Sequence, residues 1–556
     1  MSVVSGDVTP THGFVPWPAE FERRYVEAGY WRSEVLGELL RDWAARSPGA
    51  TAVVAGQRRL SYAELDECAD AMAAGLRAHG IRAGEHVVVQ LPNVAEFVIV
   101  LFGLIRLGAI PALTLPAHRR TEITHVASVC EAVAYVIPDV HEGFDYRPLA
   151  EQLGAEVPTL RSVFVLGDPG PFVSLAEVAA PRAAGQAPTP EPGSTATADQ
   201  VALLLMSGGT TGKPKLIPRT HRDYAYNARA AATVCELTSS DVYLVCLPIA
   251  HNLPLACPGV LGTLTVGGTV VLAPAPSAEV AFELIERERV TMAGVVPPLA
   301  RLWVEHSVRN GGDRAADLSS LRLLMIGGAK LDVGLAEQIQ PSLCARLLQS
   351  LGMAEGLLTY TRPEDPDELV LTTQGRPLSP ADEIRIVDPE GHPVAPGEVG
   401  ELWTRGPYTL RGYYRAPEYN RIAFSADGFY RTGDLVRALP TGHLVVTGRV
   451  KEVINRGGEN VSATELEEEL LAHPDIAAAA VLPLAAEDVG EIVCAAIVVA
   501  DVAPRPPKLK EIRAYLRERG LARFKYPDRL LVVDDLPLTG VGKVDKKALT
   551  KLAEAP

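Results

Sequence analysis

The chain has 556 residues, of which 47% are hydrophobic and 22% charged, a composition typical of an ordinary globular protein. This length exceeds what one hydrophobic core supports, so we expect at least two domains. The formal net charge of −15 disfavours nucleic acids and anionic membranes as partners.

The cysteines and the N-terminus indicate the compartment. The seven cysteines form no CxxC pair and no metal-ligand spacing, which is typical of free thiols in a reducing environment. The N-terminus has no basic-then-apolar signal pattern, and no apolar run reaches membrane-spanning length. We therefore expect a cytoplasmic protein with no membrane partner.

The first part of the chain predicts alternating helices and strands. Residues 1–30 are rich in proline and aromatic residues and predict a cap. Ser61, followed by Glu64, is an N-cap pattern for a helix. Residues 87–91 predict a buried strand, residues 95–108 an apolar helix, and the residues near Ile110 another strand. This alternation indicates a largely parallel sheet covered by helices.

A glycine-rich loop follows the strand predicted at residues 203–206. Its residues are Ser207, Gly208, Gly209, Thr210, Thr211, Gly212 and Lys213. Glycines let the backbone approach an anion, and amides and hydroxyls can then surround phosphate oxygens. The loop is not a P-loop, because that motif needs glycine in place of Ser207 and Ser or Thr in place of Pro214. A surface hairpin would not need this combination, so we expect a phosphate-binding loop of another architecture.

The rest of the chain predicts a second series of strands and then a change of pattern. Residues 180–200 predict a linker. Strands are expected at residues 242–248, 268–273, 292–297 and 323–327, and shorter ones at 383–387 and 400–404 in a β-rich subdomain. Charged residues and paired glycines at 449–459 indicate a domain boundary near Lys451. We expect an α/β fold, with a large N-terminal domain (1–450) of layered βαβ sheets and a small C-terminal α/β domain (451–556).

The glycine-rich loop closely resembles the phosphate loop of the adenylate-forming superfamily, which includes acyl-CoA synthetases, nonribosomal peptide adenylation domains and luciferases. Five further segments match that superfamily in order, at residues 352–355, 430–434, 448–449, 457–460 and 537–543. Each segment alone also fits a turn, a helix cap or a surface lysine, but their shared order supports the resemblance. The superfamily often has Thr where this chain has Ala354, so a hydroxyl contact to the nucleotide is missing there.

The resemblance implies that the protein uses ATP and Mg²⁺. It implies that Glu355 and Thr211 hold the metal, that Asp434 and Arg449 bind the ribose, and that the C-terminal domain rotates about Lys451. The residues implied to bind ATP are Ser207, Gly208, Gly209, Thr210, Thr211, Gly212, Lys213, Gly328, Ala329, Gly352, Met353, Ala354, Asp434, Arg449 and Lys543. The implied catalytic residues are Lys543, which bridges carboxylate and phosphate oxygens, with His251 and Glu355. Lys543 has a reference pKa of about 10.4 and stays charged at neutral pH.

Residues 247–259 resemble the substrate segment of the stand-alone aryl-acid ligases for salicylate and 2,3-dihydroxybenzoate. Asn252 follows His251 where amino-acid-activating relatives have an aspartate. An amide can donate to and accept from an ortho substituent on a flat ring. The remaining alternative is that Asn252 is a turn residue beside Pro254. The pocket residues implied by the resemblance are His251, Asn252, Leu253, Cys257, Gly328, Lys330, Ser350 and Leu351.

Cys257 and Leu253 favour salicylate or a related ortho-substituted benzoate. The dihydroxybenzoate enzymes commonly have serine at the first position and often tyrosine at the second. A thiol is a weak hydrogen-bonding partner, so preference for a second ring hydroxyl should fall by roughly 1–3 kcal/mol per unsatisfied group. The alternative is that Cys257 only packs in the core.

The function implied by the resemblance is ATP-dependent formation of an aryl adenylate and pyrophosphate, followed by transfer to a thiol. The sequence ends shortly after Lys543, so we expect a separate aryl carrier protein in siderophore or related secondary-metabolite synthesis. Coenzyme A is the main alternative acceptor, and 2,3-dihydroxybenzoate is the alternative acid. A catalytically idle relative would be expected to have lost Lys543, Glu355 or Asp434, and all three are present.

Overall fold

The computed structural model describes residues 13–180, 196–207, 214–310, 316–450, 453–456, 459–486, 490–519, 521, 523–540 and 542–555. These residues belong to two compact units. The first unit comprises Met1–Val370, Pro377–Glu383 and Arg405–Tyr430, and the second comprises Leu371–Arg376, Ile384–Thr404 and Arg431–Pro556. Lys451 and most of the linker predicted at residues 180–200 lie outside the described residues, and the domain boundary at Lys451 stays a prediction.

The helices are α1 (Ala19–Glu27), α2 (Leu36–Arg46), α3 (Tyr62–Ala78), α4 (Ala95–Leu107), α5 (Arg120–Val129), α6 (Arg147–Glu156), α7 (Leu175–Ala179), α8 (His221–Val234), α9 (Asn252–Ala256), α10 (Gly259–Thr265), α11 (Ala278–Glu288), α12 (Pro297–Asn310), α13 (Val333–Leu343), α14 (Asp367–Thr372), α15 (Pro417–Ala423), α16 (Ala463–Leu471), α17 (Leu509–Glu518) and α18 (Lys546–Glu554).

The strands are β1 (Thr51–Ala55), β2 (Arg58–Ser61), β3 (His86–Val89), β4 (Ile110–Leu113), β5 (Ala134–Pro138), β6 (Val140–His141), β7 (Phe144–Asp145), β8 (Ser162–Leu166), β9 (Val173–Ser174), β10 (Val201–Met206), β11 (Leu216–Thr220), β12 (Val242–Val245), β13 (Thr269–Leu272), β14 (Met292–Val295), β15 (Leu323–Ile326), β16 (Arg346–Gly352), β17 (Leu358–Tyr360), β18 (Arg376–Pro377), β19 (Glu383–Val387), β20 (Gly400–Arg405), β21 (Tyr430–Ala438), β22 (Leu444–Arg449), β23 (Val453–Arg456), β24 (Glu459–Ser462), β25 (Ile476–Ala486), β26 (Gly490–Val499) and β27 (Arg529–Val532).

The first unit is built on two largely parallel sheets. One has the strand order β11-β10-β4-β3-β5-β8-β9, and the other contains the run β17-β16-β15-β14-β12-β13-β1-β2. The pairs β10–β11, β16–β17 and β1–β2 are antiparallel, and the other neighbours in these runs are parallel. The mixed α/β fold with parallel sheets is confirmed.

Local sequence signals explain where several of these elements begin and end. The Glu64 N–H donates to Ser61 Oγ and the Ser61 N–H donates to the Glu64 carboxylate, so the predicted capping box forms. Helix α4 ends at Leu107, and the residue that caps it, Gly108, has a φ of +78°, which favours glycine. Strand β14 ends earlier than predicted because Pro297, which has no N–H, begins α12.

Aromatic residues pack the N-terminal segment onto the first unit. Trp17, Tyr25 and Trp31 are buried, and Trp31 Nε1 donates to the Pro407 carbonyl over 2.8 Å. Residues 13–30 therefore form a packed part of this unit, whereas residues 1–12 of the predicted cap lie outside the described range.

The second unit contains a β-rich part and an α/β part. The β-rich part is the sheet β19-β20-β21-β22, of which only the end residues Glu383, Arg405 and Tyr430 belong to the first unit. The α/β part is a sheet with the strand order β24-β23-β26-β25, and β27 pairs with β26. Apolar faces of α16 and α17 pack on one side of the second sheet, and α18 packs on the other through Leu549. The β-rich region and the α/β structure at the end of the chain are both as the sequence predicts. Across the described residues, the helices are all too short or too polar to cross a membrane.

Candidate functional site

The candidate binding residues of the first unit follow the carboxyl ends of parallel strands. Ser207 comes directly after β10, His251 follows β12, and Gly328 follows β15. Layered α/β proteins bind ligands outside the carboxyl ends of their strands. The topology therefore places these residues at the edges of the sheets where ligands of such folds bind.

The base of the glycine-rich loop is closed by reciprocal hydrogen bonds. The Ser207 N–H donates to the Lys215 carbonyl over 2.8 Å, and the Lys215 N–H donates to Ser207 Oγ over 3.0 Å. His125 Nε2 lies 3.0 Å from the Pro214 carbonyl. The predicted phosphate-binding residues Gly208, Gly209, Thr210, Thr211, Gly212 and Lys213 lie between these anchors and outside the described residues.

Strand β11 and the first turn of α8 carry a buried ion pair. Arg219 Nε donates to Asp223 Oδ1 over 2.7 Å, and the two side chains are 1% and 0% exposed. The Thr220 N–H and hydroxyl both donate to Asp223 Oδ2, and Arg219 Nη1 donates to the Ala354 carbonyl over 3.0 Å. Buried charges are tolerated when paired and hydrogen-bonded. We call these four residues the Arg219 network, and it holds the segment before Glu355 against β11.

The Glu355 side chain is largely buried behind this network. Its Oε1 accepts from the Tyr413 hydroxyl over 2.8 Å, and its carbonyl accepts from the Leu410 N–H over the same distance. The Tyr413 hydroxyl also lies 2.9 Å from the Tyr430 hydroxyl. Burial, followed by the nearby Glu355 charge, raises the pKa of Tyr413, so its phenol stays a neutral donor. The Glu355 carboxylate is therefore held in a fixed orientation.

Glu355 fits the part that a protein plays in holding magnesium. Mg²⁺ keeps several waters and is usually bound by one or two carboxylates together with substrate phosphates. Within the described ranges, no group of three or more His, Cys, Asp or Glu side chains could hold a metal ion. A single fixed carboxylate suits an ion that arrives with nucleotide phosphates.

Helix α9 carries the candidate ring-binding residues. Asn252 is buried, its Oδ1 accepts from the Tyr224 hydroxyl over 2.8 Å, and its Nδ2 donates to Cys257 Sγ over 3.3 Å. His251 caps the helix, with Nδ1 accepting from the Leu253 N–H over 3.4 Å. Burial raises the pKa of the Cys257 thiol to about 12, so the thiol is neutral. The structure thus brings Asn252 and Cys257 together among uncharged partners.

Glycines on the strands make room for Leu253. A Cβ at Gly327 would lie 2.5 Å from Ser350 Oγ and 3.2 Å from Leu253 Cδ1. A Cβ at Gly294 would lie 3.0 Å from Leu253 Cδ2. The predicted pocket residues Leu253 and Ser350 therefore meet at Gly327, while Leu351 is half-buried at the next position of β16.

The other candidate residues of the first unit lie in the loops after β15 and β16. Gly328 has a φ of +86°, Ala329 is exposed and Lys330 is half-buried. Gly352, the last residue of β16, is exposed, and Met353 and Ala354, which follow it, are half-buried.

The second unit pairs two of its candidate residues across neighbouring strands. Asp434 and Arg449 are register partners on β21 and β22, and Arg449 Nε donates to Asp434 Oδ1 over 2.7 Å. Lys543 lies between β27 and α18, and its N–H donates to Thr539 Oγ1 over 3.2 Å. The predicted hinge Lys451 is outside the described residues.

The AMP-binding enzyme family matches residues 40–414, and the AMP-binding enzyme C-terminal domain matches residues 465–543. The chain belongs to the AMP-binding enzyme family. It is 51% identical to the salicyl-AMP ligase / salicyl-S-ArCP synthetase of Mycobacterium tuberculosis, over 97% of this chain and 94% of that protein. It is 49% identical to the 2,3-dihydroxybenzoate-AMP ligase of Bacillus subtilis, over 97% of each.

A solved member of this family has the same fold. The apo structure of Mycobacterium smegmatis MbtA matches with a TM-score of 0.75 and 51% identity, over 97% of this chain and 98% of that one. The resemblance inferred from the six sequence segments, including its aryl-acid subgroup, is confirmed.

Sequence reasoning missed several residues of this AMP-binding enzyme that support the site. They are Arg219, Asp223, Tyr224 and Tyr413. One signal was present, because Arg219 and Asp223 stand four residues apart beside an apolar strand, a spacing that allows an ion pair. The roles of all the site residues remain proposals.

Proposed function

We propose that this enzyme is a ligase that activates an ortho-hydroxybenzoate, with salicylate preferred, by forming an aryl adenylate and pyrophosphate from ATP. One observation carries the choice of acid. The Asn252 amide is a neutral polar group that is held between two uncharged partners, a phenol and a thiol. Such a group suits an uncharged ring hydroxyl, whereas an ammonium substrate would need a carboxylate there.

The names of the relatives support an aryl acid. The Mycobacterium tuberculosis protein is named for salicylate and the Bacillus subtilis protein for 2,3-dihydroxybenzoate. Cys257, in contact with Asn252, favours salicylate for this chain because a thiol is a poor partner for a second hydroxyl. The second candidate acid is 2,3-dihydroxybenzoate.

The proposed reaction joins two anions, so positive charge and amide donors at the phosphate are the main requirement. Lys543 would bridge the carboxylate and the α-phosphate, and Lys213, Thr210 and Thr211 would bind the outer phosphates. His251, which caps α9, would orient the acid beside Asn252. Asp434 would accept hydrogen bonds from the ribose hydroxyls, with Arg449 holding its carboxylate in place.

Magnesium would be held by Glu355 and Thr211. When bound, it neutralises charge on the transferring phosphate groups. The Arg219 network and Tyr413 would fix the Glu355 carboxylate before the nucleotide arrives.

The acyl group would leave on a pantetheine thiol. We propose a separate aryl carrier protein, in keeping with the synthetase named in Mycobacterium tuberculosis. Coenzyme A carries the same pantetheine arm and is the second candidate acceptor.

The proposal is tested by replacing Lys543 and measuring ATP–pyrophosphate exchange with salicylate. Lys543→Ala should retain ATP binding and lose exchange by at least about 100-fold, because the charge acts chiefly in the transition state. Lys551→Ala, which removes an exposed lysine of α18, is the matched control and should keep full exchange. Equal exchange in the two variants would contradict the assigned role of Lys543.

A further inference from the structure

One face of the sheet next to α9 carries tyrosine hydroxyls that have no hydrogen-bond partner among the described residues. In the sheet that contains β12, β14 and β15, Tyr243 on β12 is the register partner of Met292 on β14. Gly294 lies two residues after Met292 and is the register partner of Met325 on β15. Register partners share a face, and side chains two residues apart in a strand also share one. At the other end of the ladder, Ser350 pairs with Tyr360. We call Tyr243, Gly294, Gly327, Ser350 and Tyr360 the glycine face.

The glycine face is the surface on which the candidate pocket residues lie. Leu253 packs against both glycines, and Ser350 Oγ is 2.5 Å from the position of a Cβ on Gly327. The Tyr243 hydroxyl is 2.7 Å from the position of a Cβ on Gly294. The phenol of Tyr243 therefore reaches the same space as the Leu253 side chain.

Three polar atoms around this face are buried and have no partner among the residues that the structure describes. They are the hydroxyls of Tyr243 and Tyr360 and the Oδ1 atom of Asn227. Both tyrosines are fully or almost fully buried. Buried polar groups nearly always find a partner, so such a cluster needs an explanation.

Two of these atoms lie beside Cys257. Asn227 Nδ2 donates to the carbonyl of Ala256 over 2.7 Å, which places the Asn227 amide next to Cys257. Burial raises the pKa of the Cys257 thiol, and the charge of Arg219, followed by the side chains of Asn227 and Tyr360, partly opposes that increase. Asn227 and Tyr360 are therefore both near the thiol. Cys257 in turn contacts Asn252, the residue proposed to meet the ortho hydroxyl.

We propose that Tyr360 and Asn227 recognise a second polar substituent of the aryl acid, at ring position 3 beside the ortho hydroxyl. Asn227 Oδ1 can only accept a hydrogen bond, whereas the Tyr360 hydroxyl can donate or accept. The substituent is therefore a donor, such as a hydroxyl or amino group. This inference rests on the proposed function, and it adds that the pocket accepts 3-hydroxy and 3-amino salicylates in spite of Cys257.

The test compares 2,3-dihydroxybenzoate with 3-methylsalicylate, which has nearly the same shape and no donor at position 3. In the unmodified enzyme kcat/KM for 2,3-dihydroxybenzoate should exceed that for 3-methylsalicylate by at least about fivefold. Tyr360→Phe should remove most of this ratio, because it removes the hydroxyl and keeps the shape of the ring. A ratio that is the same in both proteins would overturn the proposal.

Tyr135→Phe is the matched control. Tyr135 is a fully buried tyrosine on β5, and its hydroxyl donates to Gln90. Removing a satisfied hydroxyl should lower the thermal midpoint and leave the substrate ratio unchanged, whereas Tyr360→Phe should change the ratio without lowering the midpoint. A lowered midpoint with an unchanged ratio in Tyr360→Phe would show a structural hydroxyl instead. Absence of exchange with every aryl acid in the unmodified enzyme would instead refute the proposed function.

Discussion

Two buried polar regions of the first unit differ in how their hydrogen-bonding groups are satisfied. In the Arg219 network both carboxylate oxygens of Asp223 accept hydrogen bonds, and Arg219 reaches on to the Ala354 carbonyl. On the glycine face the hydroxyls of Tyr243 and Tyr360 have no partner within the described residues. Within the described residues Arg219 Nη2 also lacks a partner, but the charges of the network are paired and its hydrogen bonds are suited to hold a segment in place. The tyrosine hydroxyls of the glycine face make no such bonds and are suited to receive a ligand.

Breaking the Arg219 network should have the largest effect. Asp223→Ala leaves the Arg219 guanidinium buried without a counter-charge, which should lower the free energy of unfolding by about 3–5 kcal/mol. The measurement is the urea midpoint. Glu283→Ala is the control, because Glu283 pairs with Arg287 at the same i,i+4 spacing but with side chains 70% and 41% exposed. That exposed pair should contribute no more than about 0.5 kcal/mol. Similar midpoints in the two variants would contradict the buried role.

Asn252 accepts from the hydroxyl of Tyr224, whose ring lies 4.7 Å from the Arg219 guanidinium. Asn252→Leu removes the amide proposed to meet the ortho hydroxyl, so kcat/KM for salicylate should fall about 30-fold. Benzoate has no ortho hydroxyl and serves as the control substrate, for which kcat/KM should change little. Equal losses for both acids would mean that Asn252 supports the fold and does not read the ring.

Asp382 has a buried carboxyl group, and described residues donate hydrogen bonds to only one of its two carboxylate oxygens. Its Oδ2 accepts from the Tyr408 hydroxyl over 2.6 Å and from the Ser379 N–H over 3.0 Å, while no described residue bonds Oδ1. Burial raises the pKa of Asp382 to about 7.

A carboxyl whose pKa is raised in the folded protein favours folding below its ordinary pKa, and that stability is lost as the pH rises through the folded value. From about pH 5 to about pH 7, Asp382 should therefore reduce the free energy of unfolding by about 2 kcal/mol. Asp382→Asn should remove this dependence in urea unfolding. A pH profile that is unchanged by the substitution would show that Asp382 ionises normally.

Position 257 should give the smallest effect. Cys257→Ser supplies a hydroxyl beside Asn252 and should raise the kcat/KM ratio of 2,3-dihydroxybenzoate to salicylate by about fivefold. Cys344→Ser, at another buried cysteine, is the control and should leave the ratio unchanged. An unmoved ratio in Cys257→Ser would mean that this position does not touch the ring.

The parts of the molecule set by local pattern could be predicted from the sequence. The capping box at Ser61, the apolar helix that ends before Gly108 and the alternation of strands and helices depend on neighbouring residues. Asn252 and Cys257 could be named because they lie in a short segment that resembles a known subgroup.

The supporting residues depend on pairings between distant parts of the chain. Tyr360 faces the pocket because β17 pairs with β16 in the register that sets it opposite Ser350. A shift of one residue would turn it to the other face. Arg219 meets Ala354 across 135 positions of sequence. The periodicity within one helix or strand predicts neither the register between two strands nor a hydrogen bond between distant residues. These residues could therefore be found only in the structure.

The choice of acid can be measured by ATP–pyrophosphate exchange across a panel of acids. The panel contains salicylate, 2,3-dihydroxybenzoate, anthranilate, 6-methylsalicylate, benzoate, and several amino and fatty acids. We expect strong exchange with the ortho-hydroxybenzoates, with salicylate above 2,3-dihydroxybenzoate, and weak exchange with benzoate. Exchange with amino or fatty acids alone would leave the family assignment in place and contradict the proposed aryl-acid pocket.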